Sequence, residues 1–289
     1  MTLRELLGHT ETTLRSGPHP ERARLDAETL LLHLLKQNRA WLLGHGDDAA
    51  SMDTQDSFAS FIARRQAGEP LQYITGEAEF FGLPFSVAPG VLIPRPETEH
   101  LIEEVIRLAG TFTEPSIADI GTGSGAIAVA LAHSLSNARI TAVDFSALAL
   151  AIARQNAVLN HVENRIEFVE GDLLAPLAGK SFHVIASNPP YVPLTDRDSL
   201  SVEVREHEPH AALFAGDDGL AIYRRLIPEA RASLVPGGWL VMEIGYGQQP
   251  AIEQLMLANK YNEVHFVADY QGIPRVAVGK KQILCGNNR

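Results

Sequence analysis

A glycine-rich turn between an apolar run and an alanine-rich stretch constrains this chain more than any other feature. Ile117-Ala118-Asp119-Ile120 leads directly into Gly121-Thr122-Gly123-Ser124-Gly125, and Ala126 to Ala132 continue as an unbroken apolar run. The order reads as strand, loop, helix. Glycines let the backbone pass close under a ligand, and a helix N-terminus presents free N–H groups to it. From residue 117 onward the pattern keeps alternating. Further strands are expected at 140–143, 165–169, 182–187, 239–244, 264–267 and 275–278, with a helix over 146–160 capped by Ser146. Such alternation specifies an α/β fold: a mostly parallel, seven-stranded Rossmann-like sheet covered by helices on both faces.

The loop alone leaves the ligand open. Gly121, Gly123 and Ala126 fit a dinucleotide fingerprint, and Asp144 ends the next strand about 20 residues on, where a carboxylate can take ribose hydroxyls. A nicotinamide or flavin enzyme is therefore one reading. Asp119 argues for another. A carboxylate just before the glycines can meet the ammonium of an amino-acid ligand, whereas it would repel a pyrophosphate. Asn188-Pro189-Pro190-Tyr191 adds the second clue, because the strand before it should lie beside the first strand, at the switch point where such sheets bind ligands. Asn-Pro also ends strands as an ordinary turn. As a site, however, the tetrad suits a planar amino group: Asn188 offers a side-chain carbonyl, Pro189 a main-chain carbonyl and no N–H, and Tyr191 a wall. S-adenosylmethionine satisfies both clues, with its sulfonium methyl facing Asn188. Asp172 and Leu173, after the third strand, are placed to hold an adenine ring.

Residues 1–75 carry helical periodicity and no strand pattern. Leu3, Leu6, Leu7 and Leu14 make one apolar face. Leu25, Thr29, Leu32 and Lys36 share a side of a second helix, with Ala27, Leu30, Leu31 and Leu34 thickening its stripe. Residues 76–95 read as a β-hairpin linker turning at Gly82-Leu83-Pro84, and 96–289 as the catalytic domain, with Arg95 to Thr98 covering the cofactor pocket. The 289 residues are 45% hydrophobic and 20% charged, as in a soluble globular protein. No apolar run approaches the ~20 residues of a membrane span, and the amino terminus lacks a secretory pattern. Cys285 is the only cysteine, which excludes an intramolecular disulfide; a cytoplasmic setting is expected. A net charge of −11 with no basic face argues against a nucleic-acid partner. Pro209 spoils metal-ligand spacing between His207 and His210. Glu243 falls near the expected sheet top, with a capping or loop-bracing role as its simplest use.

These residues resemble the peptide-chain release-factor glutamine methyltransferases of the HemK/PrmC type. The resemblance spans essentially the whole chain. It is carried by Gly68-Glu69-Pro70-Leu71-Gln72-Tyr73-Ile74-Thr75-Gly76, by Leu92-Ile93-Pro94-Arg95-Pro96-Glu97-Thr98-Glu99, by Asp119 to Gly125 and by Asn188 to Tyr191. It implies methyl transfer from S-adenosylmethionine, leaving S-adenosylhomocysteine, to the side-chain nitrogen of the glutamine in a release factor's Gly-Gly-Gln loop. It also implies a helical N-terminal domain that recognises the substrate, a hairpin linker and a seven-stranded catalytic domain. By the same carry-over, Gly121 to Gly125 (with Thr122 and Ser124), Asp144 and Leu173 contact the cofactor. Asn188, Pro189, Pro190 and Tyr191 bind the glutamine. The family often has an aromatic residue where Leu173 stands. The tetrad also occurs in DNA adenine methyltransferases, so an adenine-N6 enzyme acting on DNA or RNA is the rival, and a pure S-adenosylmethionine sensor the alternative from another class. The expected partner is a release factor, met by a monomer without membrane or direct nucleic-acid contact.

Overall fold

A computed structural model describes residues 1–283; Cys285 lies outside the described residues. Tertiary contacts divide the chain into two compact units. One is Met1–Glu77 with Ser199–Glu208, the other Ala78–Asp198 with the chain from Pro209 on. The first holds helices α1 (Leu3–Leu14), α2 (Ala23–Leu35), α3 (Arg39–His45), α4 (Met52–Gln66) and α5 (Leu71–Thr75), joined by a later helix, Val202–His207. Starts are set by local chemistry. Thr2 and Glu5 exchange hydrogen bonds in a capping box, and the side chains of Asn38 and Ser51 cap α3 and α4.

Leu3, Leu6, Leu7 and Leu14 of α1 pack with Leu30 and Leu31 of α2 and Phe58 and Ile62 of α4. The buried face of α2 is Ala23, Asp26, Ala27, Leu30 and Leu31, and Leu25 is 55% exposed. A hydrophobic reading passes over this face because it contains a charge. Asp26 is tolerated because Arg65 of α4, equally buried, donates Nε to its Oδ2 at 2.7 Å. Arg65 also donates to the Glu69 carbonyl and to Glu203, which comes from the later helix. Replacing Asp26 by Ala would leave Arg65 short of a partner in the core. Urea unfolding should show the chain destabilised by about 3 kcal/mol, the usual cost of breaking a buried pair; a loss below about 1 kcal/mol would mean that Glu203 alone compensates Arg65.

The second unit begins in a two-stranded ribbon, β1 (Glu77–Phe80) and β2 (Leu83–Ser86). Its turn is Phe81-Gly82, both at positive φ, one position earlier than the expected Gly-Leu-Pro turn. A two-residue hairpin of this hand needs positive φ at both central positions, which Gly82 adopts without strain. Leu83 and Pro84 then lie in the strand.

After α6 (Thr98–Ala109), strands and helices alternate: β3 (Ser116–Ile120), α7 (Ala126–Ser134), β4 (Arg139–Asp144), α8 (Ala147–Leu159), β5 (Ile166–Glu170) and β6 (Phe182–Ser187). The helix Val202–His207 is α9 in chain order. There follow α10 (His210–Leu213), α11 (Ala221–Ser233), β7 (Leu234–Glu243), α12 (Gln249–Ala258), β8 (Tyr261–Ala268) and β9 (Pro274–Lys281). The sheet order is β5-β4-β3-β6-β7-β9-β8, parallel through β7 and antiparallel for the last two strands. Its pleat sorts the core. Ile117, Val184, Ala186 and Val241 face α6 and α7, while Ala118, Ile185, Leu240 and Met242 face α11 and α12. No helix among the described residues is long and apolar enough to cross a membrane.

Candidate active site at the carboxyl edge of the sheet

β3 and β6 are parallel neighbours, with Ile120 opposite Ser187, so the glycine loop and the Asn-Pro-Pro-Tyr segment leave the sheet side by side. Ser187 Oγ donates to the Ile120 carbonyl at 2.7 Å and ties the two strand ends together. A cavity of about 250 Å³ opens above them. Gly121, Thr122, Gly123, Ser124, Asp144, Asn188 and Pro190 all line it. Its apolar wall comes from Val91, Leu92, Ile127 and Phe145, and Arg95 and Thr98 stand at its side.

The glycine loop is latched by its own neighbours. The N–H groups of Gly121 and Thr122 both donate to the Val143 carbonyl, and that of Gly123 donates to Asp144 Oδ2 at 2.9 Å. Asp144 Oδ1 accepts from Ser146 N, so each carboxylate oxygen holds backbone and keeps a further lone pair for a ligand. Gly125, at φ 81°, disfavours a side chain, since that conformation strains any L residue and an added Cβ would crowd Ala153 of α8 at 3.0 Å. Asn156, fully buried on α8, donates to the carbonyls of Ser86 and Ser124 and so joins the hairpin to the loop.

Asp119 lies beneath the loop, 0% exposed. Its Oδ2 accepts from the Thr122 hydroxyl at 2.6 Å and from Ala128 N at 3.1 Å, while its Oδ1 is buried without a hydrogen-bond partner among the described residues. Burial pushes its pKa up to about 7, against the two hydrogen bonds and with a small contribution from the Asp144 charge. Burial also raises Asp144. Asp144 lines the cavity beside the loop that opens α7, with lone pairs suited to ligand hydroxyls, while Asp119 lies beneath that loop and is not itself part of the cavity wall.

The tetrad is braced from behind. Asn188 Nδ2 donates to Thr98 Oγ1 at 3.1 Å; Thr98 Oγ1 donates to Glu243 Oε2 at 2.6 Å; the Tyr191 hydroxyl donates to Glu243 Oε1 at 3.3 Å. Gln248 Nε2 holds the Tyr191 carbonyl at 2.9 Å. Burial pushes Glu243 up to about 7 and raises Tyr191 as well. Pro189 is buried, and neither it nor Tyr191 is part of the cavity wall.

Of the expected cofactor residues, Asp119, Gly125, Asp172 and Leu173 are not part of the cavity wall, and the last two lie away from the loop altogether. Asp172 is exposed and ion-paired to Arg225 at 2.5 Å, and Leu173, at φ 48°, packs on the α11–α12 core; neither lines the cavity. Sequence reasoning missed Phe145, which lines the cavity while 62% exposed. Its position directly after Asp144 was the available signal. The Thr98–Glu243 link was missed for want of the sheet order.

The family model for a PrmC N-terminal domain matches residues 5–76, and that for a methyltransferase small domain matches residues 98–204. A release factor glutamine methyltransferase of Koribacter versatilis is 43% identical over 97% of this chain and 99% of its own length. A protein of the same description from Moorella thermoacetica is 42% identical over 95% and 97%. Among solved structures, a methyltransferase from Pyrococcus furiosus superposes with a TM-score of 0.52 at 21% identity, over 70% of this chain and 91% of that one, a likeness of fold. Identity at this level over nearly the full length, with both family models matched in order, means that the chain belongs to the release factor glutamine methyltransferase family.

Proposed function

We propose that the chain methylates the side-chain amide nitrogen of the glutamine in the Gly-Gly-Gln loop of a peptide-chain release factor, using S-adenosylmethionine. Asn188 carries the reading: it lines the cavity, its Nδ2 is committed to Thr98, and nothing among the described residues donates to its Oδ1. That carbonyl is an open acceptor for a substrate N–H. Pro189, having no N–H, offers its main-chain carbonyl as the second acceptor. An amide nitrogen is a poor nucleophile because its lone pair is delocalised. Holding both N–H groups fixes its plane, beside Pro190 in the cavity wall, and Tyr191 braces the segment from behind through Glu243 and Gln248. Bound S-adenosylmethionine supplies an electrophilic methyl on a sulfonium, so no strong base is needed before transfer. Asp119 would meet its ammonium and Asp144 its ribose hydroxyls.

An adenine amino group on DNA or RNA is also a planar nitrogen. The net charge of −11 and the full-length likeness to release factor enzymes favour the protein substrate. We place the reaction in the cytoplasm, with residues 1–75 selecting the protein partner and the chain acting as a monomer.

Asn188→Ala should lower single-turnover methylation of a release factor by about 100- to 1000-fold, the range for losing one preorganised hydrogen-bonding group. Cofactor affinity, measured by calorimetry, should change little. Near-normal transfer would show that another residue aims the nitrogen.

Asp119 makes cofactor binding pH-dependent. Below about pH 7 the free site holds Asp119 protonated, and binding an ammonium there must expel that proton. Affinity should therefore rise with pH, by up to about tenfold per unit below pH 7, and level off above it. Asp119→Asn should bind weakly with no such rise between about pH 6 and 7; a rise that persists in this variant assigns the proton to another group.

A further inference from the structure

The contacts behind Asn188 determine which end of its amide meets the substrate. Glu243 ends β7, and the register that sets Ser187 beside Met242 puts Glu243 next to Asn188 on one side of the sheet. Helix α6 begins on that side with the buried Thr98. An ionised carboxylate can only accept hydrogen bonds. Glu243 accepts hydrogen bonds from the Thr98 and Tyr191 hydroxyls, one on each oxygen. Thr98, with its only hydroxyl proton committed to Glu243, can only accept from Asn188. The amide must then turn its NH2 toward Thr98, which leaves Oδ1 for the cavity. The reversed amide would set two acceptors face to face at 3.1 Å.

We propose that Glu243 and Thr98 are positioning residues for methyl transfer, a relay that fixes the polarity of Asn188 and seats Tyr191 from the same carboxylate. The proposal rests on the reading of Asn188 as the acceptor for the substrate amide. It makes the polarity of the site depend on one buried charge. A neutral Glu243 carboxyl can donate to Thr98, freeing the Thr98 proton to turn to Asn188 and occupy or invert its carbonyl. Burial pushes Glu243 up to about 7, while its bonds to Thr98 and Tyr191 pull it down; Glu97 adds to the rise and Arg275 opposes it. The Tyr223 hydroxyl donates to the Glu243 main-chain carbonyl at 2.7 Å, and Arg95 acts on Tyr191. The acid limb of the reaction should therefore fall near neutrality.

The test is single-turnover methylation of a release factor by the full-length chain at saturating S-adenosylmethionine, with calorimetric cofactor affinity as a check on folding. Thr98→Val keeps shape and removes the hydroxyl. It should slow transfer about 100-fold, the cost of a misplaced reacting group, with cofactor affinity and KM within about threefold. Thr98→Ser, which retains the hydroxyl, should recover most of that loss. Glu243→Gln, whose amide can donate to Thr98, should be slow and lose the wild type's fall in rate below about pH 7. Thr98→Val transferring within about threefold of wild type while Asn188→Ala is crippled would overturn the relay alone. An acid limb unchanged in Glu243→Gln would do the same. Near-normal transfer by Asn188→Ala would instead remove the reading on which the relay rests.

Discussion

Parallel pairing of β3 with β6 is the constraint on which the site depends. Two loops distant in sequence, one carrying five residues of Gly-Thr-Gly-Ser-Gly and one carrying Asn-Pro-Pro-Tyr, become neighbours because their strands end in register. The Ser187 hydroxyl on the Ile120 carbonyl locks that register where it matters. A one-residue slip of β6 would turn Asn188 toward the opposite face of the sheet, since side chains alternate along a strand. Both core faces oppose such a slip. Val184 and Ala186 are matched to α6 and α7, and Ile185 to α11 and α12.

The same edge concentrates buried acid. Asp119, Asp144 and Glu243 are all buried, and burial raises the pKa of each. Such groups weaken a fold unless their oxygens are met by donors. Asp144 is met by backbone and Glu243 by two hydroxyls; Asp119 has one oxygen unmet among the described residues. The exception is informative, because it lies beneath a glycine loop that presents backbone to a cavity.

Much of this was legible in the sequence, because strand, glycine loop, helix and strand-terminal acid follow one another locally. The loop and Asp144 needed only their spacing to be placed at the cavity, and Ser146 caps α8 as its position predicts. The second face of the tetrad was not legible. Thr98 lies 90 residues before Asn188 and Glu243 lies 145 after Thr98. Only the sheet order and the pleat join them. β7 shows the same limit: it starts at Leu234 and runs through Pro236 and Gly237, where turn chemistry alone places a break. The register shift between Phe182 and Val184 accommodates that stretch.

Domain boundaries read from sequence assume that each unit is continuous. Here Ser199–Glu208, within the connection from β6 to α11, is grouped with the helical unit. Its membership is encoded in charge, where hydrophobic periodicity does not look: Glu203 reaches Arg65, 138 residues away, which already holds Asp26. Gly68 makes room for it, since an added Cβ would lie 2.8 Å from Val202 Cγ1. The segment follows the tetrad and precedes Pro209, Ala211 and Ala212, which line the cavity. The chain that forms one wall of the site is thus continuous, on both sides, with a piece of the helical unit. A break drawn at one residue cannot represent that connectivity, because the helical unit is completed only after β6 has been built.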